Sequence, residues 1–158
     1  MTKLQRILII IVVILVVFFA FFRLLVVFLM QDIPELGVKD GLFLPCPAKI
    51  ACISSQIDPS DEEHGVEKIP NAMPIEGALG TMKIIMRSFS NVTLVQEERQ
   101  YLRYEVRIPP FGFVDDLEFY FPCDRCYVEV RSSSRIEFPD FNKNRDRVDM
   151  ITERFTRY

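Results

Sequence analysis

The stretch "YLRYEVRIPPFGFVDDLEFYF", residues 101–121, decides the fold. Across its first half Leu102, Tyr104, Val106 and Ile108 alternate with Arg103, Glu105 and Arg107. Successive side chains of a strand point to opposite faces, so this is a strand with one apolar and one charged face. "PPFG", residues 109–112, reads as a turn. Beyond it Phe113, Leu117, Phe119 and Phe121 share a face, with Asp115 as the exception. Two alternating runs joined by a short turn make an antiparallel hairpin. "NVTLVQEER" (91–99) precedes it, and "CYVEVRS" (126–132) follows with Val128 and Val130 inward, which gives a four-stranded meander.

Helices flank the strands. Pro74 opens "PIEGALGTMKIIMRSFS", where Ile75, Ala78, Leu79, Met82, Ile85, Met86 and Phe89 fall on one face at helical spacing. Gly77 and Gly80 each cost about 1 kcal/mol relative to Ala, and close packing of the helix on the sheet is the expected compensation. The C-terminal "NKNRDRVDMITERFTRY" places Val148, Ile151, Phe155 and Tyr158 on one side, with Glu153 and Arg157 as an i, i+4 pair. The fold class is α+β: an antiparallel four-stranded meander sheet packed with two helices, one sheet face covered and the other wet. Residues 31–73 read as an irregular surface wrap, with "LPCPAKIACISSQIDPSDEEHG" rich in Pro, Ser and acidic residues.

The turns set a register. If "PPFG" closes one hairpin and Asp124-Arg125 the next, Glu118 lies between Arg103 and Arg131, and Asp116 between Glu105 and Ser133. Arg131 then belongs to a cross-strand Arg-Glu-Arg row on the polar face, where each pair contributes about 0.2–1 kcal/mol. Asp115 and Ser134 meet on the core side, where a carboxylate needs hydrogen bonds. In a sharper reading Arg103, Arg107 and Arg135 are only partly neutralised and bind an anion or a partner, because arginine suits bidentate contacts with carboxylate or phosphate.

An anchor precedes this domain. "ILIIIVVILVVFFAFFRLLVVFLM", residues 7–30, has Arg23 as its only charge. It is long enough to span a bilayer and longer than the apolar region of a signal peptide, with Ala20 as its only small residue. Lys3 and Arg6 lie before it, and Asp32 and Glu35 after it. The positive-inside rule then gives a single-pass protein of the inner (plasma) membrane. Its N-terminus is cytoplasmic, residues 1–30 are tip and anchor, and residues 31–158 form a periplasmic or extracellular domain. Arg23 either reaches the outer headgroups or meets another membrane subunit. The outer part carries 16 Lys+Arg against 22 Asp+Glu, a net charge of −6, which offers no footprint for nucleic acid.

All four cysteines, Cys46, Cys52, Cys123 and Cys126, lie in the outer part. An even count in an oxidising compartment reads as disulfides, with the local pairs 46–52 and 123–126 requiring no long-range coincidence. A four-cysteine zinc site is the rival, but its C-x5-C half departs from the usual short knuckles. Redox chemistry at "CDRC" would need a strand-to-helix setting, and strand-like sequence flanks it on both sides. His64 is the single histidine and stands in an acidic loop. Ser54 or Ser55 with His64 and an aspartate makes a drawable triad, but no G-x-S-x-G elbow supports it. No phosphate-binding loop or dinucleotide fingerprint is present, so no cofactor, metal or catalytic residue is expected.

Several runs together carry a resemblance: "CPAKIACISSQ" (46–56), "KIP" (68–70), "DDLEF" (115–119), "RSSSRI" (131–136) and "DFNKNRDRV" (140–148). In this order they resemble the family known as domain of unknown function 1499. The chain has Ile50-Ala51 where the family often has Pro-Asn, and Glu137 and Asn142 where it often has Gly. Cys123 and Cys126 stand outside the family pattern. The resemblance implies a small membrane-associated or exported domain and no established activity. The expectation is an accessory domain, a small subunit that docks on other membrane proteins without catalysis, with Arg23 and the sheet arginines as contact candidates. The alternative is a ligand-binding or hydrolytic module of the cell envelope.

Overall fold

The computed structural model describes residues 2–29, 35–47, 51–58, 60–122, 127–136 and 141–158. Helix α1 (Lys3–Leu29) is long and apolar enough to cross a membrane, a test that a signal sequence also passes. A two-stranded hairpin, β1 (Val38–Lys39) and β2 (Leu42–Phe43), follows. Then come β3 (Cys52–Ser54), β4 (Ile69–Pro70) and helix α2 (Ile75–Arg87). The meander is β5 (Val92–Glu98), β6 (Tyr101–Ile108), β7 (Phe113–Tyr120) and β8 (Tyr127–Ser134), and helix α3 (Lys143–Phe155) closes the fold.

The meander is present and the register is as read. Arg103 faces Glu118, Glu118 faces Arg131, Asp116 lies between Glu105 and Ser133, and Asp115 faces Ser134. The strand count is a correction. The main sheet has six strands, in the order β3-β8-β7-β6-β5, with β4 also pairing β8. Both additions come from the segment expected to be irregular, and both run antiparallel to the outer edge of β8. Strands of three and two residues are too short to show a period; they exist because β8 offers a free row of backbone N–H and C=O groups. β5, the opposite edge, slips register between Leu94 and Gln96.

The apolar face carries the core. Leu102, Leu117, Phe119, Val128 and Val130 meet Ala78, Met82, Ile85 and Met86 of α2 and Val148, Ile151 and Phe155 of α3. Tyr158 departs from the expected stripe: α3 stops at Phe155, and Tyr158 is exposed. The compensation expected for Gly80 is absent too, since a Cβ there would meet nothing within 4 Å. At Gly77 it would make only ordinary contacts with Met73 and Pro74.

The second face corrects the expectation of a wet sheet. Arg103, Glu105, Asp116, Glu118, Arg131 and Ser133 are each 9% exposed or less. The disulfide Cys46–Cys52 lies toward this side, because Cys52 pairs with Ser133. Gln56 adds a second tie: its side chain accepts from the Phe43 N–H and donates to the Gly41 carbonyl, joining the β1–β2 hairpin to the end of β3. A polar face normally reads as solvated. Here each charge has an opposite charge one strand away, so the face can be covered without leaving a lone ion.

Candidate functional site

The charged face is built by three adjacent strands. β6, β7 and β8 each place alternate residues on it, and the register aligns opposite charges. Glu118 sits at the centre, fully buried. Its carboxylate accepts from Arg131 Nη1 at 2.6 Å and from the Tyr101 hydroxyl at 2.7 Å. Burial pushes the Glu118 carboxyl above its ordinary range, and the Arg131 guanidinium opposes that rise. Burial and the neighbouring carboxylate also push the Tyr101 hydroxyl up, so it stays a donor.

Arg135, just past β8, closes the second row. Its Nε and Nη2 reach the two oxygens of Asp116 at 2.7 and 2.8 Å, and Nη2 also reaches Glu105 at 2.7 Å. This is the two-pronged fit of guanidinium to carboxylate, which is stronger than a single contact. Those bonds raise the Arg135 pKa further, with Asp116 as the leading cause. Arg103 Nε stands 3.9 Å from Asp116. Arg107, half exposed at its side chain, lies 3.4 Å from Glu105. Of the four sheet arginines proposed for contact, three are therefore buried in internal pairs, and Arg107 alone reaches solvent.

The apolar face has a polar corner of its own. Asp115 accepts from Ser134 Oγ at 2.8 Å, as the register implies, and from Arg147 Nη2 at 2.7 Å. Asn144, 1% exposed, accepts from Ser132 Oγ at 2.6 Å and from Arg147 Nη1 at 2.8 Å. Arg145 donates to the Gly65 and Glu62 carbonyls, both at 2.9 Å. Sequence reasoning gave these α3 residues no role. The signal was the i, i+3 spacing of Asn144 and Arg147, which puts both on the helix side facing β8.

The drawable triad is not assembled. Ser55 Oγ donates to Glu129 at 2.5 Å and accepts from the Val130 N–H at 2.8 Å. The His64 ring pairs with Asp61 at 3.3 Å. Ser54 meets His64 only through backbone, its N–H donating to the His64 carbonyl at 2.8 Å. Among the described residues no group of three or more His, Cys, Asp or Glu is placed to hold a metal ion. The Cys46–Cys52 bond is formed, whereas Cys123 and Cys126 lie outside the described residues.

A separate feature lies at the β6–β7 turn. Arg23 of α1 donates through Nη1 to the Pro110 carbonyl. The Phe111 ring stands 5.6 Å from Phe22 and 6.1 Å from Phe19. Gly112 has φ +85°, a conformation suited to Gly, and Arg23 passes over it. Beside this contact opens an apolar cavity of about 430 Å³. Its walls include Phe22, Phe111, Phe113, Ile136 and Phe141, while Asp115 and Ser134 form its buried end. The "PPFG" turn meets Phe141 and Lys143 here, which no local pattern reveals.

The chain matches, over residues 43–155, the family described as "Protein of unknown function (DUF1499)", and belongs to it. No curated protein and no solved structure matches the chain. Four of the runs that carry the resemblance meet on or beside β8, where Cys52–Ser54 pairs with Arg131–Ser133. Ser55 bonds to Glu129 and Val130, Glu118 to Arg131, Asp116 to Arg135, and Asp115 and Ser132 to Arg147.

Proposed function

We propose that this chain is a membrane-anchored accessory domain that acts by contact and carries out no chemistry. In this reading α1 crosses the inner (plasma) membrane once with its N-terminus in the cytoplasm. Residues 31–158 stand outside as a small subunit of a membrane complex. The observation that carries the reading is the matching of charge on the sheet. Glu118, Asp116 and Asp115 are each held by an arginine, and Glu129 is held by Lys68 and the Ser55 hydroxyl, so none of these four buried carboxylates is a free base poised for proton transfer. Ser55 and His64 are likewise engaged with other partners. The Cys46–Cys52 bond suits an oxidising compartment. The contacts of Arg23, Phe19 and Phe22 with the turn favour a retained anchor over a cleaved signal peptide, because they make α1 part of the folded unit.

Purification of the full chain from gently solubilised membranes tests this reading. The expected result is a stoichiometric membrane-protein partner, with a reporter fused after Tyr158 active only outside the cytoplasm. A lone protein whose cellular phenotype disappears in Ser55→Ala or His64→Ala would place catalysis ahead of contact.

A further inference from the structure

We propose that the cavity beside α1 is a lipid site, taking one acyl chain of an anionic phospholipid with the headgroup phosphate at Lys143. This rests on α1 crossing the membrane. The volume, about 430 Å³, falls in the range of small-molecule sites, roughly 300–1,000 Å³. Phe22 belongs to α1, so the cavity opens where the helix meets the domain, beside the acyl region of the bilayer. The interior suits a hydrocarbon chain. Its two polar residues bond to each other and to α3: Ser134 to Asp115, and Asp115 to Arg147. An entering chain therefore strands no polar group.

The rim suits a membrane surface. Phe141 is 74% exposed and Phe111 38%. Phe141 and Asn142 both lie at positive φ, +53° and +65°. Asn tolerates this conformation, but it is costly for a bulky residue such as Phe141, and such strain tends to occur at functional sites. Large apolar side chains next to a cation form the usual pattern of contact with anionic lipid. Lys143 lines the same cavity, is exposed, and is the first residue of α3. The positive end of that helix adds to the lysine's attraction for a phosphate.

The full-length protein in nanodiscs of equimolar phosphatidylglycerol and phosphatidylcholine, released into mild detergent and weighed by native mass spectrometry, tests the site. One retained phospholipid is expected, with phosphatidylglycerol preferred about fivefold, the effect of one lysine at an anionic surface. Lys143→Glu should abolish the preference and keep the acyl contact. Ile136→Trp should narrow the cavity and lower lipid retention. Phe141→Ser, at an exposed position, should lower retention without touching the core. No retained lipid on the wild type, or equal retention by all four proteins, would overturn the site. Carbonate extraction separates the two ideas. A chain that stays in the membrane but retains no lipid defeats the lipid site alone, whereas a chain stripped by carbonate defeats the anchor and the site with it.

Discussion

Replacement of Arg131 by Ala tests whether the charged face is buried. On a solvated sheet face the Arg131–Glu118 pair would contribute about 0–1 kcal/mol. Here Arg131 is 3% exposed and Glu118 fully buried. Breaking a buried pair leaves a charge without its partner and costs about 3–5 kcal/mol. Tyr101 still donates one hydrogen bond to Glu118, which points to the lower half of that range. For a domain of this size about 3–4 kcal/mol corresponds to a melting point lower by roughly 10–15 °C. The cost should also depend on pH. Burial already raises the Glu118 carboxyl, and Arg131 is the main influence holding it down. Without Arg131 the folded-state pKa rises further, so the folded protein binds this proton more tightly than the unfolded chain. A raised pKa gives a contribution that is full below the ordinary value of 4.5 and is lost as pH climbs through the folded-state value. The variant should thus come closest to wild type in acid and fall away toward neutral pH. Denaturant unfolding of the full chain in mild detergent, followed by tyrosine fluorescence, measures this, since the chain has no tryptophan. A loss under about 1 kcal/mol at neutral pH, or a loss that does not change with pH, would refute the buried network.

Arg147→Met should cost about 3 kcal/mol at neutral pH by leaving Asp115 with only its Ser134 bond, measured by the same unfolding. Reducing Cys46–Cys52, which closes a short loop, should lower stability by about 2 kcal/mol, seen as a lower unfolding midpoint with dithiothreitol. Gly80→Ala should raise stability by about 1 kcal/mol, because the new Cβ enters open space within α2. Gly65→Ala should lower stability by about 1–3 kcal/mol in the same measurement, since its Cβ would clash with the Asp58 carbonyl oxygen.

Much of the architecture was legible in the order of residues. Alternation between residues 101 and 121 gave strands with assigned faces, and the "PPFG" turn gave a register that holds from Asp115 to Glu118. Helical spacing gave the buried faces of α2 and, apart from Tyr158, of α3. These features are local: period, turn chemistry and apolar stripe lie within a few residues of one another. The short strands β3 and β4 were not legible, because their structure comes from the edge of β8 and not from their own side chains.

The sequence alone thus determined that an apolar helix precedes an antiparallel sheet, which charges lie opposite one another, and that Cys46 and Cys52 are close enough to join. Only the tertiary structure decided whether those charges face water. Burial depends on what lies over a face, and long-range ties such as the Cys46–Cys52 bond and the Gln56 hydrogen bonds fix the β1–β2 hairpin to β3 at the edge of the sheet. It alone also decided that α3 supplies Arg147 to Asp115, and that Phe22, Phe111 and Phe141 share one cavity. Contacts between residues 30 to 120 positions apart are set by how whole elements pack, which leaves no periodic trace in any one of them.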